Sequence, residues 1–387
     1  MLQDKKTIQS QFSKLKVAVI HDSYLYEGGA ERVLKSILQL FPQAKVYIPL
    51  LKKPYLQQLK KTHSVFTTVF NRIPLPEKYV SCLKPFIFFY WQLLNLNRYN
   101  LVISSSHSFS SKSVKTDRTT LHVAYIHTPP RYLYQEFSEM NWLKKPPFKW
   151  LAAPLFAYLR RKDFASAQEV DVLIANSKTT QKRIQQYYHR QSKVIYPSVI
   201  LPKNSTVGRS GQKKYYLFHS RLVKQKGAEL VIKTFCKLKK PLLIVGVGAQ
   251  EKYLKKIAGK NITFLGFVPD KKLAEIYSEA KALVYAGIEE DFGIVPVEAM
   301  SYGVPVIGFS SGGIRETVID QRTGLLFKDY SIKSLEQAIG DFEKTTFLEK
   351  DCLQQAQQFS EEKFNKEFSK MINTQLAKFT NSQDRRL

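Results

Sequence analysis

Short apolar runs alternate along the chain with longer segments in which apolar residues recur every three or four positions. The short runs are rich in Val, Ile, Leu and aromatic residues, which is typical of parallel strands buried on both faces. The longer segments have the periodicity of amphipathic helices. Because strand and helix alternate through both halves of the chain, the pattern predicts an α/β protein with two Rossmann-like, doubly wound domains.

The pattern places strands in the first half at residues 16–22, 45–50, 100–104, 121–126, 170–175 and 193–198. In the second half it places strands at 215–219, 241–247, 262–267, 282–286 and 304–309. The helices that alternate with them are predicted at 228–238, 250–258, 271–280, 297–302 and 314–319.

Residues 202–211 are rich in polar residues and glycine, which predicts a linker between the domains. Residues 353–379 predict one amphipathic helix that packs across one or both domains. We therefore expect domains at 1–205 and 206–360, followed by a C-terminal helical segment at 361–387.

The strongest chemical signal is the segment EDFGIVPVEAM, from Glu290 to Met300. It follows a predicted strand and opens a helix, so free backbone N–H groups and the positive end of the helix dipole point at one place, which suits an anion. Glu290 precedes the loop, and Glu298 falls in the predicted first turn. An anion-binding site between two carboxylates suits a ligand with both phosphates and hydroxyls, such as a sugar nucleotide. An acidic loop before a helix whose glutamate complements the dipole is the other interpretation.

Two cations, Arg221 and Lys226, follow the first predicted strand of the second half. Parallel strands end at one edge of a sheet, so both side chains can reach the crevice beside the Glu290 loop. There they would neutralise a diphosphate, which arginine can bind with two hydrogen bonds. The chain has 60 Lys and Arg, so a plain surface position is the alternative for such a pair.

The first half has two candidate positions of its own. Gly28 and Gly29 lie at a strand-to-helix turn, where they allow a close approach to a ligand or form an ordinary turn. His127 stands at a predicted strand end, and the prolines that follow it fix the exit path of the chain. It can serve a functional site or act as a structural hydrogen-bonding group.

The length of 387 residues suits two domains. The three cysteines are far apart and lack metal-type spacing, which is typical of a protein in a reducing compartment. Residues 1–16 have no apolar core of a signal peptide, and the uncharged apolar stretch at 85–97 is shorter than the roughly 20 residues needed to cross a bilayer. We expect a cytoplasmic protein, soluble or bound to the cytosolic face of a membrane.

The net charge of +28 implies an acidic partner. Residues 1–200 hold 30 Lys and Arg against 11 Asp and Glu, so most of the excess lies in the first half. Two aromatic segments there, 85–94 and 148–159, are flanked by basic residues, which favours helices seated on an anionic membrane. Two buried core helices are the alternative. No nucleic-acid-binding motif accompanies the charge, so we expect no nucleic acid partner.

Several motifs together resemble those of the retaining glycosyltransferases of family 4, which have the GT-B fold. They come in the order and spacing of that family over nearly the whole chain: Gly28-Gly29-Ala30-Glu31, Ile126-His127-Thr128-Pro129, Arg221-x4-Lys226-Gly227, Glu290-x7-Glu298, Gly303-x-Pro305 and Gly312-Gly313-x-x-Glu316. The resemblance is strongest to a branch that contains O-antigen mannosyltransferases using GDP-mannose. It implies two Rossmann-like domains that face each other across a cleft, with a C-terminal helix that packs back.

The resemblance also implies roles for single residues. Arg221 and Lys226 would hold the donor diphosphate, and Glu298 the ribose hydroxyls. Glu290 would bind hydroxyls of the donor sugar; Glu289 is adjacent, and only the spacing to Glu298 selects Glu290.

The remaining roles are also carried over from the family. Backbone at Gly293, Ile294 and Val295 would assist Glu290, and Val268 would lie against the base. In the first domain, Gly28 and Gly29 would approach the phosphates, and His127 would contact the transferred sugar.

The implied function is transfer of a sugar, from GDP-mannose in the nearest branch, to a lipid-linked or polysaccharide acceptor of the cell envelope, with retention by attack on the same face. No D-x-D triplet occurs, so no metal or other cofactor is expected, and the protein cations would stabilise the leaving diphosphate. Three alternatives are a UDP- or ADP-sugar donor, an enzyme of the same fold that catalyses epimerisation or phosphorolysis, and a basic protein that only binds membrane or nucleic acid.

Overall fold

The computed structural model describes residues 9–72, 80, 82–134, 148–202 and 213–384, and every strand pair within these residues is parallel. Chain contacts define two compact units: residues 1–198 with 362–387, and residues 199–361. The predicted linker lies almost wholly outside the described residues, as does the predicted domain boundary at 205.

The first unit contains a seven-stranded sheet in the order β3-β2-β1-β4-β5-β6-β7. The strands are β1 Val17–His21, β2 Lys45–Tyr47, β3 Ser64–Phe66, β4 Leu101–Ser106, β5 Leu121–Ile126, β6 Val172–Ala175 and β7 Lys193–Val194. The helices are α1 Gly29–Leu40, α2 Lys53–Lys60, α3 Lys84–Leu93, α4 Arg131–Tyr134, α5 Phe148–Glu169 and α6 Lys178–Tyr188. The chain winds outward in one direction from β1 and then returns to place β4 beside it, as in a doubly wound fold.

Burial on both faces explains the continuous apolar runs of this sheet. In β1, Val17 and Val19 pack on one side with helix α1, whereas Ala18 and Ile20 pack on the other side with helix α3. Alternate residues of a strand point to opposite faces, so a strand between two helical layers must be apolar throughout.

The second unit contains a six-stranded sheet in the order β10-β9-β8-β11-β12-β13. The strands are β8 Tyr215–His219, β9 Leu242–Val245, β10 Ile262–Gly266, β11 Ala280–Tyr285, β12 Val306–Phe309 and β13 Gly324–Phe327. The helices are α7 Ala228–Leu238, α8 Glu251–Ile257, α9 Asp270–Glu279, α10 Ile294–Ser301, α11 Ile314–Thr317, α12 Ile332–Lys344 and α13 Glu349–Gln357. The order again reverses between two adjacent strands, here β8 and β11.

The prediction of one helix over residues 353–379 is wrong. Helix α13 ends at Gln357, and a separate helix, α14, runs from Glu361 to Asp384. Between them the chain turns: the Phe359 N–H donates to the carbonyl of Ala356, at 3.0 Å, and the carbonyl of Phe359 accepts from the Val199 N–H, at 2.9 Å. Helix α14 belongs to the first unit and packs its apolar residues against that core: Phe364, Phe368, Met371 and Ile372.

Strands β3 and β13 and helix α12 are among the elements that were not predicted from the sequence. Strands β3 and β13 have only three and four residues, too few to establish a period of two. Helix α12 is amphipathic, with Leu335 and Ile339 in the core of the second unit. The helical spacing of its apolar residues could have been recognised in the sequence.

The aromatic segment at 85–97 is neither wholly core nor wholly surface. In helix α3 the side chains of Ile87, Phe88 and Trp91 are buried, whereas those of Phe86 and Phe89 are exposed. Within the described parts of the chain, no helix combines the length and the apolar character that crossing a membrane requires.

A buried ion pair links the turn after β4 to helix α5. The ammonium of Lys112 contacts the carboxylate of Asp163, and both side chains are fully buried. Asp163 also accepts hydrogen bonds from the hydroxyls of Ser110, Tyr134 and Tyr188, at 2.7, 3.0 and 2.8 Å. These donors offset the desolvation of the carboxylate, which is the condition for a buried pair to be tolerated.

Replacing Lys112 with methionine leaves Asp163 buried without its cation. We expect Lys112→Met to lower the free energy of unfolding by about 3 kcal/mol, measured by urea denaturation. Lys115→Met, which changes an exposed lysine three residues away, is the control and should stay within about 0.5 kcal/mol of the wild type. Equal stability of the two variants would contradict the importance of the pair.

Candidate active site

Three loops of the second unit meet at the carboxyl ends of its strands. They follow β8, β11 and β12, and contain residues 220–227, 286–293 and 310–313. Strands β8 and β11 are adjacent where the strand order reverses, and ligands of doubly wound folds bind in the crevice at such a point.

Backbone hydrogen bonds hold these loops together. The Ile288 N–H donates to the carbonyl of Gln225, at 2.9 Å, and the Gly313 N–H donates to the carbonyl of Glu290, at 2.7 Å. The hydroxyl oxygen of Ser311 accepts a bond from the Glu289 N–H, at 3.1 Å. The loop that contains Glu290 is therefore tied to both of its neighbours.

Two glycines make this close approach possible. Gly227 and Gly312 have φ angles of +74° and +68°, in the left-handed region that favours glycine. A Cβ at Gly227 would lie 2.1 Å from the carbonyl oxygen of Ala286, and one at Gly312 would lie 2.1 Å from that of Glu290. No larger residue fits at either position without moving the backbone.

The loops bring together Lys226 and Glu290, two of the residues predicted to form the site. The ammonium nitrogen of Lys226 lies 2.6 Å from Oε2 of Glu290. The hydroxyl of Tyr285, the last residue of β11, donates to the same oxygen at 2.8 Å and lies 3.3 Å from the ammonium. Glu290 thus has two donors in the structure, whereas the adjacent Glu289 is exposed.

The charge of Arg221 also acts on this group. Burial, together with the charge of Glu290, raises the pKa of Tyr285 well above its usual value, and the charge of Arg221 opposes that rise. Arg221 itself is exposed at the start of the loop, so its guanidinium remains accessible to a ligand.

The other predicted residues of the second unit lie around the start of helix α10. Gly293 is its N-cap, and Ile294 and Val295 are its first two residues. The helix begins earlier than predicted, so Glu298 lies in its second turn rather than its first, and is half-buried. Val268 is half-buried just after the end of β10.

The first unit has a corresponding edge, where β1 and β4 are adjacent. Helix α1 begins at Gly29 with Gly28 as its N-cap. His127 follows the end of β5 and is 8% exposed. Burial, with the charges of His107 and His21, lowers the pKa of His127 well below its usual value, so the imidazole is neutral at physiological pH.

A buried carboxylate shapes this edge. Asp22 follows β1 and accepts hydrogen bonds from the backbone N–H groups of His107, Phe109 and Ser111, each at 2.7 Å. Burial acts to raise its pKa, but the charge of His107 and these bonds outweigh burial and hold the pKa below its usual value. The ionised Asp22 thereby fixes the loop after β4 and the position of His107.

Comparison with known proteins covers both units. The family model described as "Glycosyltransferase Family 4" matches residues 27–201, and the one described as "Glycosyl transferases group 1" matches residues 203–359. The chain belongs to glycosyltransferase family 4.

Two characterised relatives illustrate the similarity. The chain is 31% identical over 139 residues to a GDP-mannose-dependent α-(1-6)-phosphatidylinositol monomannoside mannosyltransferase of Mycolicibacterium smegmatis, which covers 32% of this chain and 36% of the relative. It is 25% identical over 237 residues to the human α-1,3/1,6-mannosyltransferase ALG2, covering 52% of this chain and 54% of the relative. The matches span about a third to a half of the length of the curated relatives.

A solved structure shares the architecture of this chain. The structure of Anabaena HepE in complex with UDP and glucose superposes with a TM-score of 0.66 and 20% identity, covering 93% of this chain and 99% of that one. The two parallel, doubly wound sheets are those of the GT-B fold, as the motifs of the sequence predicted.

Several polar residues at these edges were not selected from the sequence. They are Tyr285 in the second unit, and His21, Ser105 and His107 in the first; Glu31 was quoted only as part of a family motif and given no role. Most of these residues lie at or just after the end of a strand, next to the place where the strand order reverses. That position is the feature of the sequence pattern that could have identified them. A tyrosine or serine inside an apolar run carries no such signal by itself, because buried hydroxyls are usually structural.

Among the described residues one group could hold a metal ion, namely His21, Glu31 and His107. One ligand atom from each lies within 4.8 Å of the others. Tetrahedral zinc with bonds of about 2.0–2.1 Å needs ligand atoms about 3.4 Å apart. The distance from Nε2 of His21 to Oε1 of Glu31 is 3.7 Å, so the group is more open than a zinc site.

A Cβ at position 312 would collide with the loop that carries Glu290. We expect Gly312→Ala to lower the free energy of unfolding by about 2 kcal/mol or more, since left-handed backbone alone costs alanine about 1–2 kcal/mol. Gly340→Ala is the control, because a Cβ in the middle of helix α12 would meet nothing within 4 Å. That variant should gain about 0.5–1 kcal/mol, and a Gly312→Ala protein as stable as the wild type would refute the close approach.

Proposed function

We propose that the protein transfers a hexosyl group from a nucleoside diphosphate sugar to a hydroxyl of an acceptor. The observation that carries this proposal is the pairing of Lys226 with Glu290 at the strand edge where β8 meets β11, beside the start of helix α10. The edge offers a cation, a carboxylate and free helix N–H groups, which match a phosphate bonded to a sugar.

The reaction develops charge on the leaving group. The bond between the anomeric carbon and the diphosphate oxygen breaks, the bond to the acceptor oxygen forms, and the acceptor proton passes to the departing phosphate. Lys226, Arg221 and the N-terminus of α10 would stabilise the negative charge, and such prearranged electrostatics often give the largest contribution to catalysis. Attack on the same face, with retention of configuration, is part of the proposal.

Lys226 and Glu290 would have separate roles once the donor binds. A diphosphate is the stronger partner for an ammonium than one carboxylate, so it would draw Lys226 away from Glu290. The carboxylate would then accept hydrogen bonds from donor-sugar hydroxyls, with backbone at Gly293, Ile294 and Val295 beside it. Glu298 would hold the ribose, and Val268 would lie against the base.

GDP-mannose is the donor we propose. The mannosyltransferase names of the mycobacterial and human relatives support it, and the first of those names specifies GDP-mannose. A UDP-sugar is the second candidate, because the HepE structure holds UDP and glucose. Thermal unfolding with GDP, UDP, ADP and their sugars separates them, since a ligand at 100 times its Kd adds about 2.7 kcal/mol. Stabilisation by none of these nucleotides would contradict the proposed function.

Substitutions at the ion pair separate binding of the diphosphate from recognition of the sugar. We expect Lys226→Ala to weaken nucleotide binding and to lower kcat by about 10²–10³-fold, as for loss of one charge-stabilising donor. Glu290→Gln should leave binding of the free nucleoside diphosphate unchanged or tighter, because it releases Lys226, but should lower sugar transfer by about 100-fold.

Lys224→Ala is the matched control, because Lys224 is exposed in the same loop. Its turnover and nucleotide binding should stay within about twofold of the wild type. A Lys226→Ala protein that behaved like this control would exclude Lys226 from the donor site.

We propose further that the acceptor is lipid-linked or a growing polysaccharide, and that the first unit docks on an anionic membrane. Helices α3 and α5 support this through a shared exposed aromatic face. Leu93 is 84% and Trp150 71% exposed, and the ring of Phe89 stacks on that of Tyr158 with centroids 6.2 Å apart. Arg160 and Arg161 are exposed on α5 just beyond these residues, and such a pairing of aromatic and basic groups suits a charged lipid surface.

Exposed aromatics of this face and of the second unit should differ in their effect on membrane binding. The triple variant Phe86→Ser, Phe89→Ser and Trp150→Ser should bind vesicles containing anionic lipid about tenfold more weakly in a sedimentation assay, without loss of folding. Tyr253→Ser, which changes an exposed aromatic of the second unit, should bind as the wild type does. Unchanged binding of the triple variant would remove the membrane from the proposal.

A further inference from the structure

Four polar side chains form a line at the carboxyl edge of the first sheet. Oε1 of Glu31 lies 3.7 Å from Nε2 of His21. Nδ1 of His21 lies 3.0 Å from the hydroxyl oxygen of Ser105, and that oxygen lies 2.8 Å from Nε2 of His127. His21 and Ser105 are fully buried, so bulk water does not compete for these contacts.

The hydroxyl of Ser105 has one hydrogen but two imidazole neighbours, His21 and His127. The hydroxyl can donate to only one imidazole, and it must accept from the other if both contacts are hydrogen bonds. The two imidazoles are therefore coupled: the direction of one hydrogen bond sets the direction of the other.

Glu31 fixes the direction of the two hydrogen bonds of Ser105. Although burial acts to raise the pKa of Glu31, the adjacent imidazole of His21 holds it below its usual value, so Glu31 is a carboxylate at neutral pH. Nε2 of His21 is buried and makes no hydrogen bond. A lone pair there would face the carboxylate unfavourably, whereas an N–H is attracted to it.

In the form of His21 that carries a single proton, on Nε2, the Nδ1 atom has a lone pair and accepts from Ser105. The hydroxyl oxygen then accepts from Nε2–H of His127. We propose that Glu31, acting through His21 and Ser105, selects the tautomer of His127 that carries its proton on Nε2 and presents Nδ1 as a hydrogen-bond acceptor.

The remaining groups around His127 do not compete for Nδ1. The rings of Tyr125 and His107 lie near that of His127, with centroids 5.0 and 6.1 Å away, and its backbone carbonyl accepts from Thr180. No described residue forms a hydrogen bond with Nδ1. This nitrogen is therefore the one that a ligand can use.

The consequence for the reaction rests on the proposed function, in which His127 contacts the sugar. An acceptor nitrogen binds a hydroxyl that donates its proton, and it disfavours a carbonyl or ether oxygen, which cannot donate. Glu31, His21 and Ser105 are thus positioning residues that make His127 selective for a free hydroxyl of the substrate.

The tautomer can be measured without any substrate. In ¹⁵N NMR spectra of the full chain at about pH 8, where imidazoles are ordinarily neutral, His127 should show the proton on Nε2. Glu31→Gln places an amide beside His21 that can donate to Nε2, which reverses both hydrogen bonds of Ser105. We expect a population of His127 with the proton on Nδ1 to appear in this variant. A wild-type protein protonated on Nδ1, or a Glu31→Gln protein with the wild-type tautomer, would overturn the proposal.

Two further variants distinguish coupling of Glu31 to His127 through Ser105 from a general disturbance of the buried site. In a Ser105→Ala background, Glu31→Gln should no longer change the His127 spectrum, because the connecting hydroxyl is gone. Ser104→Ala is the matched control: it removes the neighbouring buried serine, which contacts Nε2 of His122 at 2.9 Å, and burial lowers the pKa of that histidine to about 3. It should leave the His127 tautomer unchanged.

Kinetics gives a second measurement with the best donor of the nucleotide series. Glu31→Gln should lower kcat about tenfold, which corresponds to about 1.4 kcal/mol, whereas Ser104→Ala should stay within about twofold of the wild type. Equal kcat values for the two variants would overturn the catalytic consequence. If no sugar nucleotide supports turnover, the proposed function fails, and the NMR result still decides the tautomer by itself.

Discussion

Parallel pairing of β1 with β4 and of β8 with β11 is the constraint on which both candidate sites depend. At these two places the winding of the chain reverses, which is where ligands of doubly wound folds bind, at the carboxyl ends of the strands. Every polar contact that we assign to function begins within a few residues of such a strand end. The backbone topology therefore supplies the position, and the loop residues supply the chemistry.

The two edges use different electrostatics. In the second unit, Lys226 and Glu290 form a partly exposed ion pair. In the first unit, burial lowers the pKa of His107 and of His127, so the imidazoles act as neutral hydrogen-bonding groups. The proposed sugar transfer would use both kinds of group, since a leaving diphosphate requires positive charge and a neutral sugar requires directed hydrogen bonds.

Buried charge also has a structural role in this basic protein. Asp22 organises the loop after β4 through three backbone N–H groups, and Asp163 joins Lys112 to helix α5. Each carboxylate is saturated with donors, which offsets the cost of removing it from water. These two buried carboxylates are therefore held by hydrogen bonds or an ion pair.

The sequence by itself determined the two α/β units, the family and most strands, because apolar runs and glycine-rich turns are local signals. It also selected Lys226 and Glu290, which lie together in the structure. Only the tertiary structure revealed Tyr285 beside Glu290, the line from Glu31 to His127, and the break at Phe359 that divides the predicted C-terminal helix. Tyr285 lies only five residues before Glu290, but their contact depends on the path of the loop between them. The contact of His21 with Ser105 and that of Val199 with Phe359 join residues far apart in the chain, and no local period encodes which distant partner a hydroxyl or carbonyl will meet.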